Sequence, residues 1–335
     1  MRKIYSALLA FSISFSAFSQ DNEKAMKKNV DDLKAKPVGA DSAGWHTGFA
    51  GTLNFTQVAL SNWSAGGQNS VSLLGVVNTF AKYKKNKYAW DNFFTGSYGF
   101  VQSIGQPMQK SDDRIDILSK FGYQANDKVY YTALANFKSQ FSATFQNDSI
   151  LVSHFAAPAF ALVALGLDWK PKPFLSVFLS PATGRYIIVA NQELADAGAF
   201  GVKAAEYGTQ IENGLPVIVK TKNGEQVRAE FGAYFLAIFQ KDIVKNINLT
   251  SKLELFNNYT DDIKRNRANI DVNWETNIGF KVNKFFSASF IFHLIYDENV
   301  PITYGLSDGT TKTGPIAQIR QVLGLGLTYQ VSNRK

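Results

Sequence analysis

"FFSASFIFHLIYDE", residues 285–298, is oily enough for a core strand, yet it sets Ser287, Ser289 and His293 among the aromatics. Read with the two-residue period of a strand, one face carries Phe286, Ala288, Phe290, Phe292, Leu294 and Tyr296. The other carries Ser287, Ser289, Ile291, His293 and Ile295. A soluble sandwich would turn the oily face inward, whereas a membrane barrel would turn it outward, toward lipid.

Two further stretches share this texture. In 227–240 the face Val227, Ala229, Phe231, Ala233, Phe235, Ala237 and Phe239 opposes Arg228, Glu230, Gly232, Tyr234, Leu236, Ile238 and Gln240. In 269–282 the face Ile270, Val272, Trp274, Thr276, Ile278, Phe280 and Val282 opposes Asp271, Asn273, Glu275, Asn277, Gly279 and Lys281. The oily faces hold no charge, which is what lipid requires, since a charge facing lipid at mid-bilayer costs roughly 2–4 kcal/mol. The opposite faces are too polar for a dry core, where every charge would need a partner. The aromatic face of 285–298 is therefore expected to meet lipid, and His293 to face a lumen.

About twelve such stretches run from Gly44 to Val331, namely 45–60, 70–83, 88–102, 112–124, 128–142, 159–169, 174–190, 227–240, 247–259, 269–282, 285–297 and 316–331. Their connections alternate. The even-numbered ones are short: "KKNK" (84–87), the turn around Asn126, "KPKP" (170–173), "KDIVKN" (241–246) and the turn at Asn283-Lys284. The odd-numbered ones, 61–69, 103–111, 143–158, 191–226, 260–268 and 298–315, are longer. An up-and-down barrel gives this alternation, with all tight turns on one rim, and a sandwich with crossing connections would scramble it. Aromatic residues cluster at the short-turn ends, among them Tyr83, Tyr88, Trp90, Tyr130, Tyr131 and Trp169, as an interfacial girdle would. Within the proposed strands only Pro181 interrupts a ladder, and a bulge there, or a strand end above the membrane, is the expected repair.

The start of the chain, "MRKIYSALLAFSISFSAFSQ", reads as a secretory signal over 1–19: Arg2 and Lys3, an apolar run, then Ala17-Phe18-Ser19. Residues 20–43, polar and free of aromatics, read as a periplasmic arm, and 44–335 as the barrel. Export would leave the short turns periplasmic, the long loops extracellular, and the protein in the cell outer membrane. The chain has no cysteine, which removes disulfides, thiolate metal sites and thiol nucleophiles. Its net charge of +8 is carried largely by lysines in short connections, which fits solvated turns better than a nucleic-acid surface.

Several segments resemble DUF3078, an uncharacterised outer-membrane family of the Bacteroidota: "LNFTQVALSNWSAGGQNS" (53–70), "WDN" (90–92), "KSDDRIDILSKFGY" (110–123), "DAGAFGV" (196–202), "NIDVNWE" (269–275) and "HLIYD" (293–297). The resemblance implies an outer-membrane β-barrel and transfers no substrate or catalytic residue.

The chemistry-bearing candidates are sparse. Of the three histidines, His154 follows Ser153 in a long loop and His293 shares a face with Ser289, and neither pair defines a triad. Gly66 and Gly67 in "SAGGQNS" lack the Gly-Lys-Ser/Thr ending of a phosphate loop. The pairs Asp112/Asp113 and Asp261/Asp262 lack the oxygen-rich spacing of a Ca²⁺ loop. No enzyme, metal or cofactor is expected. The strongest candidate is the lumen face, on which alternation sets Arg114, Asp116, Lys120, Lys138, Arg228, Glu230, Lys252, Glu254, Asp271, Glu275, Lys281 and His293. Both signs are present, so paired charges could line a pore or plug it. Inward apolar residues such as Tyr234, Leu236, Ile238, Phe256 and Ile291 argue against a wide channel, and twelve strands could be open or filled. The expected partners are outer-membrane lipid and small solutes. A passive or narrow-specificity pore is the first reading and a non-conducting structural or adhesive barrel the second, with an outer-membrane lipid hydrolase third. In the longest loop, 191–226, a hairpin is expected around Asn223-Gly224.

Overall fold

Twelve antiparallel strands close on themselves in the computed structural model of the chain. The structure describes residues 43–59, 69–146, 149–172, 174–213, 215–283, 286–300, 302–305 and 310–333. The expected signal, nearly all of the arm and the Gly66-Gly67 turn lie outside the described residues.

The barrel strands are β1 (Gly44–Val58), β2 (Ser70–Lys85), β3 (Tyr88–Ser103), β4 (Gln109–Gln124), β5 (Val129–Ser139), β8 (Ala159–Lys172), β9 (Leu175–Ile188), β12 (Val227–Val244), β13 (Ile247–Asn258), β14 (Asp271–Lys281), β15 (Phe286–Tyr296) and β18 (Gln318–Asn333). Each pairs with the strands before and after it in this series, and β1 pairs with β18 from Thr47↔Asn333 to Asn54↔Gly326. Closure leaves no unpaired edge, which hydrocarbon could not satisfy. All twelve expected stretches are strands, and both ends of the series lie on the rim of the short connections.

The remaining six strands form three small hairpins, each within a long connection: β6 (Thr144–Gln146) with β7 (Ile150–Ser153), β10 (Glu206–Glu212) with β11 (Leu215–Lys222), and β16 (Ile302–Gly305) with β17 (Thr311–Gly314). The hairpin expected around Asn223-Gly224 is displaced. The chain instead reverses near Asn213, whose positive φ of 52° suits a tight turn. Asp196 holds the Gly224 backbone N–H and Lys220, so 223–224 serves as the foot of the hairpin rather than its tip.

Directly opposed residues in an antiparallel pair share a face, so the register carries one orientation around the whole ring. Starting from Leu165 and Leu167, the outward set includes Tyr131, Phe121, Trp90, Tyr83, Trp45, Leu327, Phe286, Phe280, Leu249 and Phe239. Among the described residues, charges on that face occur only near strand ends, at Lys85, Lys110, Asp113, Lys172 and Lys241. Leu323 is 75% exposed and Leu165 64%, while inward Leu236 and Phe178 are fully buried. In water each such exposed leucine would forgo about 1.5–3 kcal/mol of burial; in lipid it forgoes nothing.

The short-turn rim carries a ring of aromatic side chains. Trp45 lies 5.2 Å from Tyr83 and 5.7 Å from Trp90, and Tyr88 lies 5.3 Å from Tyr123, centroid to centroid. Lys87 and Lys241 sit over Tyr123 and Phe174, an arrangement suited to a boundary between oil and water.

Pro181 is accommodated by a bulge in β9. Leu165 pairs with Ala182 but Leu167 with Leu179, so β9 carries one residue more than β8 between these pairs. The Ser180 hydroxyl accepts the Ala182 N–H and donates to the Leu165 carbonyl. The bulge shifts the phase of alternation: Ser176, Phe178 and Ser180 face inward before it, and Thr183, Arg185 and Ile187 after it.

Candidate functional site

The interior holds three tiers of charge, which tie together strands from different parts of the ring. The middle tier centres on Arg114 of β4, which bonds Glu275 of β14. Six strand steps separate β4 from β14 in either direction around the ring, so this pair crosses the full lumen. Arg114 also donates to Asp116 at 2.9 Å, Lys252 of β13 approaches Asp116 at 3.3 Å, and Asn136 donates to Asp116 at 2.7 Å. Lys138 of β5 bonds Glu254 of β13, which also accepts from Tyr234 at 2.9 Å and Asn273 at 2.8 Å. His293 donates its Nε2–H to the Asn273 oxygen at 2.8 Å.

Toward the short turns, Lys120 and Asp168 pair at 2.6 Å, with side chains 4% and 1% exposed. Ser176 accepts from Lys120 and donates to Asp168, at 2.9 and 2.7 Å. Lys170 bonds Asp91 at 2.9 Å and lies 3.6 Å from Asp168. Toward the long loops, Arg185 bonds Glu230 and Asp271 and lies 3.9 Å from Asp297. Its guanidinium stacks on Phe256 at 4.1 Å. Arg228 donates to the Gly201 carbonyl at 2.9 Å and approaches Glu230 at 3.1 Å. Gly201 has φ +79°, a backbone conformation that strains any side chain and so favours glycine where the loop meets Arg228.

All twelve residues assigned from alternation point into this interior by register, and ten of them enter the ion pairs described. His293 joins through Asn273, and Lys281 faces inward opposite Ser287. Asp91, Asp168, Lys170, Arg185 and Asp297 belong to the same tiers and lie outside the set assigned from alternation. Asp91 and Asp168 follow the alternation of their own strands, which is a readable signal. Arg185 had none, because the Pro181 bulge moves it to the phase that would otherwise face lipid.

The two halves of the lumen differ. From β4 to β13, Leu118, Leu134, Leu162, Phe178, Tyr234, Leu236 and Phe256 form a buried cluster among the charges. From β14 through β18 and β1 to β3, small or neutral polar residues such as Ala50, Thr52, Asn78, Thr95, Ser287 and Ser289 stand between the inward charges Asp271, Glu275, Lys281, Arg320, Lys82 and Asp91. There Asn78 is exposed although it faces inward, and it accepts from Thr95 at 2.9 Å. Above the long-loop rim, Ala157, Val189, Leu194, Ala195 and Val202 make a second apolar cluster that folds residues 189–202 over part of the mouth.

Ser289 and His293 are four residues apart on one strand, about 13 Å at 3.3 Å per residue, too far to share a proton. Asp112 pairs with Arg320, Asp113 with Lys110, and Asp261 with Asn299. Among the described residues no group of three or more acidic or histidine side chains could hold a metal ion.

Residues 55–145, the end of β1 through β5 and into the hairpin beyond, match the family described as "Protein of unknown function (DUF3078)". The resemblance is borne out over that stretch. The DUF3078 segment supplies Asp91, Arg114, Asp116, Lys120 and Lys138, one half of the partners in the middle and short-turn tiers. No curated protein matches the chain. Solved structures similar to it include the COG4313 outer membrane channel from Pseudomonas putida F1, at 12% identity and TM-score 0.37, covering 88% of this chain and 97% of that one. The translocator domain of the autotransporter NalP from Neisseria meningitidis aligns at 10% identity and TM-score 0.33, covering 94% and 97%. The Pseudomonas putida toluene transporter TodX aligns at 8% identity and TM-score 0.30, covering 90% and 91%. Barrel closure rests on the hydrogen-bonded ring itself.

Proposed function

We propose that this protein is an outer-membrane barrel that acts as a passive, narrow conduit for small solutes, with its short turns periplasmic and its long loops extracellular. The supporting observation is the pairing of a leucine- and aromatic-rich exterior, charged only near strand ends, with an interior of polar and charged side chains that is exposed at Asn78. The interior charges are tied to one another, several of them across the lumen. They narrow the bore and favour passage of small polar solutes over large ones.

The cross-lumen pair Arg114–Glu275 and the apolar cluster around Phe178 favour a second reading, a filled barrel that serves as a structural or adhesive surface protein. Purified protein in planar bilayers separates the two. Discrete conductance steps support the conduit, and sustained silence from protein shown to be inserted supports the filled barrel.

A further inference from the structure

Building on the conduit reading, we infer that the lumen is a bipolar passage, acidic at the long-loop mouth and basic at the short-turn end, which rectifies ion flow and selects against multivalent ions of either sign. At the long-loop end Arg185, Arg228 and Arg320 stand against Glu230, Asp271, Asp297, Asp261 and Asp112, an excess of two negative charges. Asp261 belongs to this group because Asn299, which donates to it, packs on the Gly201 that caps Arg228.

The middle tier balances, with Arg114, Lys138 and Lys252 against Asp116, Glu254 and Glu275. At the short-turn end Lys82, Lys120, Lys170 and Lys281 face Asp91 and Asp168, an excess of two positive charges. Lys84 and Asp242, at the extreme strand ends, cancel each other. Exposed loop charges outside the lumen are screened within about 10 Å at ordinary salt, whereas those inside low-dielectric walls are not.

The consequence follows from the sign at each end. A negative mouth admits cations and a positive exit admits anions. When the long-loop side is positive, the field drives cations in through the acidic mouth and anions in through the basic end, so carriers accumulate in the neutral middle. Reversing the field sweeps both out and depletes it. A multivalent cation is repelled at the basic end and a multivalent anion at the acidic one, whereas a small zwitterion meets no net barrier.

The test is single-channel recording of the full-length protein in potassium chloride at mildly alkaline pH. Orientation is fixed by a Thr209→Cys variant, in this cysteine-free chain, labelled from one side by a membrane-impermeant maleimide. The inference predicts a larger current with the long-loop side positive, and a ratio of opposite-polarity currents that falls to one in Asp297→Lys/Lys281→Glu, which cancels both excesses. If that variant does not insert, Asp297→Asn/Lys281→Gln is expected to lower the ratio without reversing it. An ohmic wild type, the opposite polarity, or a ratio indifferent to both variants overturns the inference while leaving the conduit standing. A silent wild type overturns the conduit itself.

Discussion

Arg114 and Glu275 bond each other although their strands stand half-way around the barrel. The pair joins strands six steps apart in either direction, so it bars the lumen across its width. Removing both side chains, in Arg114→Ala/Glu275→Ala, is expected to raise single-channel conductance, whereas Glu275→Ala alone leaves Arg114 to turn fully onto Asp116 and opens the lumen less. Conductance of the two variants, compared under one salt, checks the order.

Lys120 and Asp168 are the most deeply buried ion pair among the described residues. Lys120→Met strands the Asp168 carboxylate with only Ser176 and the more distant Lys170 to stabilise it. Breaking one partner of a buried pair costs about 3–5 kcal/mol. The double variant Lys120→Met/Asp168→Leu is expected to recover most of that loss, because the partnerless charge goes with the lysine. Urea unfolding from lipid vesicles measures both.

Outward Leu165 and its neighbour in β8, inward Ala164, make a sharper test of orientation by stability. Leu165→Lys is expected to cost about 2–4 kcal/mol in a bilayer, because it sets a charge against lipid far from either rim. Leu165→Ala is expected to cost much less. Equal effects of the two substitutions on vesicle-folding stability would contradict a lipid-facing Leu165.

Much of this was legible in the chain. The period of two is unusually clean here, since lipid penalises any charge on the outer face, and the alternation of short and long connections follows from the up-and-down order. The bulge at Pro181 was legible too, but its consequence for Arg185 was not, because a phase shift cannot be located until the partner strand is known. The hairpins in the long loops escaped for a different reason. The Asn223-Gly224 pair is a good turn signal, yet Asp196, distant in sequence, holds the Gly224 N–H and Lys220, and this tertiary tie moves the reversal to Asn213. Cross-lumen partners were likewise beyond reach, since alternation gives the face of a residue and says nothing of what lies opposite.

The Asp196 tie carries a pH dependence. Hydrogen bonds from Lys220 at 2.5 Å, from the Gly224 N–H at 2.8 Å and from Gln192 at 2.7 Å hold its carboxyl down to about 2, below the usual 3.8. A depressed carboxylate contributes order that is fully present above its unfolded value and is lost as pH falls through the folded one. Amide protection in Glu206–Lys222 is therefore expected to hold at pH 5 and above, to decline from about pH 4 down to about 2, and to be reduced at all pH values by Asp196→Ala. Hydrogen exchange followed by mass spectrometry reads this segment directly.

The account turns on which face of each strand meets hydrocarbon, and adjacent residues Val77 and Asn78 of β2 test it most directly. Single cysteines at each, carrying a nitroxide label in bilayer-embedded protein, report collision with oxygen, which concentrates in lipid, and with a water-soluble nickel chelate. The account predicts oxygen-dominated relaxation at Val77 and nickel-dominated relaxation at Asn78. The reverse pattern, or equal access of nickel at both, would contradict it.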